Sequence, residues 1–394
     1  MSVLFSPMKI GTLEIKNRFV HSATHEAMAT ADGLVTDQMV KRYQNLAKGE
    51  VGLIIPGYMG IQPSGRANVN ETGIHSDEMI PGLKRMTEAI HENGGKTVFQ
   101  LAHAGRQSTK AICGQTPMSP SGKGRDPLYF VKPREMNEDD IQNVIRGFGS
   151  AAARAVEAGA DGIQIHGAHG YLVNQFLSPF FNQRKDAWGG SDENRFRFLK
   201  EVFLEIKKSV PEGTPILIKL STHDHTPRQG ITHEAAKFYA GKLAEIGIDA
   251  VEISSGTTLY SFMNICRGDV AVDQLVAGVP KWQRPIGRMM MKRLVGKYGL
   301  EEAYHLEAAR VIKPVLGEIP LILVGGMRTV GSMEGILQNG YADFVSMSRP
   351  FIREPFLVKR IKDGKTDRAS CVSCNKCVMT ITAHTPLKCY HRPS

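Results

Sequence analysis

The sequence predicts an α/β fold, a single (β/α)8 TIM barrel followed by a short cysteine-rich C-terminal extension. Three observations predict it. Eight short apolar segments recur with amphipathic stretches between most of them, and no sequence block repeats. A doubly wound sheet would need a Gly-rich dinucleotide turn after an early strand, and none is present. Residues 1–366 are assigned to the barrel and residues 367–394 to the extension.

The apolar segments run from Arg18 to Ser22, Val51 to Pro56, Thr97 to Leu101 and Gly162 to His166. The second half supplies Pro215 to Leu220, Ala250 to Ser254, Pro320 to Val324 and Asp343 to Met347. Their length and β-branched content suit strands buried on both faces. Helices are expected over Asp37 to Lys48, Ser76 to Asn93, Glu138 to Ala158, Glu193 to Ser209 and His233 to Ile246. Met79, Leu83, Met86 and Ile90 repeat at helical spacing and form one apolar face. Gly94-Gly95, Gly159 and Gly247 follow helix ends, where a left-handed cap favours glycine. Two long interruptions, Gly105 to Pro133 and Ser255 to Gly299, are expected to be lids or binding walls.

With 42% hydrophobic and 22% charged residues, the composition is that of a globular domain. No apolar run of about 18 residues exists, and no basic region with an apolar core opens the chain. A cytoplasmic location is therefore the default expectation, with no membrane partner. The net charge of +10 comes from cations scattered along the chain, which argues against nucleic acid and leaves room for phosphate-bearing ligands.

The chemistry gathers at strand C-terminal ends, where barrels of this type react. His166, His169 and Tyr171 follow the fourth strand within six residues. Two imidazoles can donate to one substrate oxygen, and a phenol can supply a proton. Gln100 ends the third strand with a donor and an acceptor suited to a heterocycle's imide edge. Lys219 ends the fifth with a positive charge, or with a salt bridge across the mouth. Gly325, Gly326 and Met327 after the seventh strand, with Ser348 and Arg349 after the eighth, suit a phosphate.

Together these residues closely resemble the old yellow enzyme family of FMN-dependent ene-reductases. The match spans nearly the whole chain, through Leu4-Phe-Ser-Pro-Met, Asn17-Arg18, Gln100-Leu-Ala-His-Ala-Gly-Arg106 and His166-Gly-Ala-His-Gly-Tyr-Leu. It continues through Trp188-Gly-Gly-Ser-Asp-Glu-Asn-Arg195 and Ser348-Arg349-Pro350-Phe. The resemblance implies FMN across the barrel mouth, contacted by Ala23, Thr24 and His25, held at its pyrimidine edge by Gln100, and anchored at its phosphate by Gly326, Met327 and Arg349. It implies that His166 and His169 grip the carbonyl oxygen of an α,β-unsaturated substrate and that Tyr171 protonates the α-carbon. NAD(P)H recharges the flavin in the same pocket, and family members often form homo-oligomers. Three positions depart from the usual pattern. Lys219 stands in place of Arg, Ser348 in place of Gly or Ala, and His25 looks more like the 2,4-dienoyl-CoA reductase branch.

Cys371, Cys374, Cys377 and Cys389 form a C-x2-C-x2-C-x11-C array. It resembles the [4Fe–4S] segment of 2,4-dienoyl-CoA reductase and trimethylamine dehydrogenase, including Asn375 after the second cysteine, although the dienoyl-CoA reductases place three residues between the second and third cysteines. Four thiolates also suit a structural zinc, and an empty remnant of such a site is the third reading. Because those relatives continue into further redox domains, a cluster here is expected to draw electrons from a separate partner protein or to be structural. Cys113 and Cys266 are expected to be buried small hydrophobes.

Overall fold

A computed structural model describes residues 2–127, 130–277, 281–378 and 385–391. Parts of both long interruptions and of the cysteine-rich extension thus lie outside the described residues. The barrel strands are β1 (Phe19–His21), β2 (Leu53–Ile54), β3 (Lys96–Ala102), β4 (Gly162–Gly167), β5 (Ile216–Ser221), β6 (Ala250–Ser254), β7 (Leu321–Val324) and β8 (Phe344–Met347). Each pairs in parallel with its neighbour, and β8 returns to β1, which closes the sheet. Every residue of β4, β5 and β6 is buried, as strands covered by helices outside and packed side chains inside must be.

The helices between and after them are α1 (Asp37–Lys48), α2 (Ile80–His91), α3 (Glu138–Glu157), α4 (Asp192–Ser209), α5 (His233–Ile246), α6 (Leu306–Leu316), α7 (Val330–Gln338) and α8 (Leu357–Lys362). α3 starts on a reciprocal capping box: the Asn137 side chain accepts from Asp140 N, and Asp140 accepts from Asn137 N. α5 starts on Thr232 and stops at Gly247, whose φ of +87° is the left-handed cap expected of it. The helix expected from Ser76 opens as a 3-10 turn, Asp77–Met79, and becomes α-helical only at Ile80. Pro81 explains the shift, because a residue without an N–H is accommodated in the first helical turn.

Three features depart from the eight-unit expectation. An antiparallel hairpin, Met8–Ile10 with Leu13–Ile15, precedes the barrel. Its Ile10 and Ile15 pack with Val20, Leu53, Val98, Leu217, Ala250, Ile322 and Phe344, so it floors the barrel at the N-terminal ends of the strands. Met59–Gly60 adds a short parallel pairing to the end of β3. The second strand is shorter than its apolar run, although Ile55 N still donates to His21 O before Pro56, which has no N–H, ends the ladder.

The long segment after β6 is locally helical at Phe262–Ile265, Val272–Ala277 and Arg284–Lys292. The extension is stitched back onto the rim. Val330 N donates to Asp367 O, Ala369 N to Arg328 O, Asp269 N to Ser373 O and Leu387 N to Glu26 O.

Candidate active site and cysteine cavity

Strand register builds the interior of the mouth. His166 on β4 lies beside Lys219 on β5, which lies beside Glu252 on β6. One step away, Gln100 on β3 pairs with Gln164 on β4. A buried polar chain follows from these positions. Gln100 Nε2 donates to Gln164 Oε1 at 2.7 Å, and Gln164 Nε2 donates to Glu252 Oε2 at 3.0 Å. Ser22 Oγ and Ser346 Oγ donate to Glu252 Oε1 at 2.7 and 3.0 Å. The Lys219 ammonium donates to Ser22 Oγ at 2.8 Å and lies 3.4 Å from Glu252. The salt bridge considered for Lys219 is thus present, and its partner, Glu252, is a residue that the motifs did not single out. An acid inside an otherwise apolar strand was the available signal.

The fourth-strand triad converges as expected. The His166 and His169 rings lie 5.3 Å apart between centroids, and His166 lies 4.6 Å from the Tyr171 ring. Burial lowers both imidazole pKa values well below the usual range. His169 and Lys219 add to the effect at His166, and Lys219 and His305 at His169, so both rings are neutral at physiological pH. His166 Nδ1 is buried and has no hydrogen-bond partner among the described residues. His169 takes a left-handed φ of +62° and pairs its Nε2 with Ser254 Oγ at 2.7 Å. Its carbonyl accepts from Gln107 Nε2 and from Thr258 N, which fixes the loop that carries it.

Tyr58 completes this wall and was not anticipated. It hydrogen-bonds to Tyr171, accepts from Asn68 Nδ2 at 2.7 Å, and stacks on His25 at 5.3 Å. Burial, then the neighbouring Tyr171 and Glu71, push the Tyr58 pKa well above its usual value. Arg106, carried by the third-strand motif, donates to the carbonyls of Lys123 and Gly124 and so ties down the loop that follows.

The flavin positions suggested by resemblance surround the same mouth. Ala23 is half-buried, while Thr24 and His25 are buried, and Thr24 Oγ1 donates to Ser348 Oγ at 2.7 Å. Gly325 and Gly326 have φ of +132° and +76°, which glycine alone adopts easily. A Cβ on Gly326 would lie 2.3 Å from Glu301 O, so the turn has no room for a side chain there. Met327 is buried. Gln100 spends one amide hydrogen on Gln164 and keeps capacity for a second partner. Arg349 spends Nη1 on Arg267 O and Asn375 Oδ1, and a guanidinium carries further donors. Buried polar donors at the strand ends and an unpartnered imidazole nitrogen fit a planar heterocycle, and the remaining guanidinium donors of Arg349 suit a phosphate.

Cys371, Cys374, Cys377 and Cys389 line one small cavity with Arg349, Arg353 and Asn375. Arg328 Nη2 approaches Cys371 Sγ at 3.7 Å, and Arg353 Nη1 approaches Cys389 Sγ at 3.6 Å. Such cations favour thiolates. Burial pushes the Cys377 thiol up to about 12, so loading a metal there must displace a proton. The four thiols line this cavity, and among the described residues no group of three or more His, Cys, Asp or Glu side chains is arranged to hold a metal ion. Tetrahedral zinc, with Zn–S bonds of about 2.3 Å, needs sulfurs roughly 3.8 Å apart. Four thiolates are the ligand set of a structural zinc and of a cubane iron–sulfur cluster alike. Cys113 and Cys266 are buried as expected, and Cys266 packs against Val378 of the extension.

The profile of the NADH:flavin oxidoreductase / NADH oxidase family matches residues 3–267 and 297–368. The chain is 31% identical over 396 residues to 4,4'-dithiodibutanoate disulfide reductase of Rhodococcus erythropolis, covering 99% of this chain and 95% of that protein. It is 32% identical over 391 residues to a metal reductase of Desulforamulus reducens, of which it spans about half the length, 53%. Among solved structures it resembles an old yellow enzyme homologue from Zymomonas mobilis, with a TM-score of 0.74, 26% identity and coverage of 94% and 95% of the two chains. The chain belongs to the NADH:flavin oxidoreductase / NADH oxidase family, which includes the old yellow enzymes.

Proposed function

We propose that this oxidoreductase transfers hydride from NAD(P)H, through FMN, to the activated C=C bond of an α,β-unsaturated carbonyl compound. The observation that carries the reading is the convergence of His166, His169 and Tyr171 over the Gln100–Lys219–Glu252 network. Ala23, Thr24, His25, Gln100 and Lys219 would hold the ring system, and Gly325, Gly326, Met327, Ser348 and Arg349 the phosphate. When bound, FMN supplies the hydride from its N5 position.

The protein groups do the rest. A neutral imidazole donates one N–H and keeps its charge state when a carbonyl oxygen accepts it. Two such donors aimed at one oxygen favour negative charge there and draw electrons from the β-carbon. Ser254, by donating to His169 Nε2, would leave Nδ1–H for the substrate. Tyr171, held by Tyr58, would give its proton to the α-carbon as hydride reaches the β-carbon. Photoreduced protein should be reoxidised rapidly by cyclohexenone under anaerobic conditions; inertness toward a panel of enones would sink this reading.

A second reading is favoured by the cysteine cavity. There the chain is a flavin and iron–sulfur subunit, fed by a separate redox partner, that reduces enoyl thioesters or oxidises amines. Four thiols on one cavity with two guanidinium donors near sulfur support a thiolate-ligated group there, a [4Fe–4S] cluster in this reading. Freshly purified, anaerobically handled protein should show a broad brown shoulder beneath the flavin bands, with iron and acid-labile sulfide. Flavin bands alone would remove the cluster.

A further inference from the structure

The segment from Lys281 to Tyr298 lies on the loop that leaves the C-terminal end of β6, on the same rim as the His166–Tyr171 wall. Nearly all of it falls in the stretch, 268–296, that the family profile skips. Its helix Arg284–Lys292 buries no residue. Ile286, Met289 and Met290 share one face at helical spacing, and Trp282 in the preceding 3-10 turn extends it. These side chains are 58%, 54%, 54% and 75% exposed, unusually high for large apolar groups gathered on one face. Arg284, Arg288 and Lys292 occupy a second face. The third face, at Gly287, packs toward Val276, where an added Cβ would lie 3.3 Å from the valine methyl.

The charge pattern identifies what could cover this face. Residues 281–298 hold six cations, Lys281, Arg284, Arg288, Lys292, Arg293 and Lys297, and no Asp or Glu, and of these Arg288 pairs with Asp273 at 3.0 Å. A second copy docked by two-fold symmetry would bring this cation-rich patch against its own copy. An anionic bilayer surface satisfies both parts, with apolar side chains entering the acyl boundary and cations meeting headgroups. No helix among the described residues is long and apolar enough to cross a membrane, so the contact is a surface one.

We propose that Lys281–Tyr298 is a peripheral membrane-docking element that seats the rim of the barrel on anionic phospholipid. The test uses the full chain with vesicles of phosphatidylcholine containing about one-third phosphatidylglycerol, against phosphatidylcholine alone. Co-sedimentation should be at least about tenfold greater with the anionic vesicles and should weaken as salt rises. Trp282 emission should shift to the blue on binding, and the shift should vanish in Trp282→Ser, since the other tryptophan, Trp188, is already buried. Met289→Glu with Met290→Glu should abolish sedimentation while flavin content is retained, because both side chains are exposed. Equal binding to both vesicles, or binding to neither, overturns the proposal. So does concentration-dependent self-association in sedimentation velocity that the same double variant removes, which would make the face a contact between copies.

Discussion

The Lys219 ammonium lies 3.4 Å from the Glu252 carboxylate, and both side chains are buried. Burial lowers the Lys219 pKa and the nearby carboxylate opposes that shift. Removing one member of such a pair leaves the other charge buried and unpaired. Glu252→Ala should therefore cost about 3–5 kcal/mol in urea unfolding. Glu252→Gln should cost less, because it still accepts from Ser22 and Ser346. The double variant Lys219→Met/Glu252→Met should be more stable than Glu252→Ala.

The buried, neutral His166 and His169 make a prediction about ligand binding and its pH dependence. Replacing both with alanine should abolish the long-wavelength charge-transfer band that phenols produce with bound flavin. In the unchanged protein, titrating phenol affinity should show no inflection near the ordinary histidine pKa, since both values lie well below it. Retained phenol binding in the double variant would remove the oxyanion role.

Tyr171→Phe keeps the ring packing on His166 and Tyr58 and deletes the proton. Stopped-flow reoxidation by cyclohexenone should slow by roughly 10²–10⁴-fold, the usual range for a positioned general acid. Flavin reduction by NAD(P)H should stay near its original rate. An equal loss in both half-reactions would mean that the tyrosine only shapes the pocket.

Glu71 gives a stability prediction. Its carboxylate accepts from Ala67 N and Asn68 N, yet burial raises its pKa from 4.5 to about 8. The folded state thus keeps a proton that the unfolded chain releases above about pH 4.5. Stability from this group is full below that pH, and it is lost at about 1.4 kcal/mol per pH unit as pH rises. The loss levels off above about pH 8, where the folded protein also releases the proton. Glu71→Gln should flatten the decline in denaturant midpoints between pH 5 and 8, whereas an unchanged slope would assign it to other groups.

Much of the barrel was legible because its signals are local. β-branched runs bounded by turns mark β4, β5 and β6, since strands buried on both faces cannot carry solvated side chains. Glycine at a left-handed cap, as at Gly247, announces itself through backbone sterics. The six-residue packing of His166, His169 and Tyr171 was visible because one strand end delivers all three. The cysteine spacing was equally plain.

What the chain's order concealed depends on register and on which face a residue takes. Glu252 reads as one acid in an apolar strand until β5 and β6 align it with Lys219. Tyr58 reads as loop until it meets Tyr171, 113 positions later in the chain. The floor hairpin at Met8–Ile15 is too short for a periodic signal, and it becomes structure only by covering the barrel's apolar base. By itself, then, the sequence determined the barrel, its candidate rim residues and four thiols in an array. The tertiary structure decided which buried charges neutralise one another, that the four thiols face one cavity, and which apolar face of Arg284–Lys292 stays open. Pairing across strands and the choice of buried face are set by distant residues that no local pattern contains.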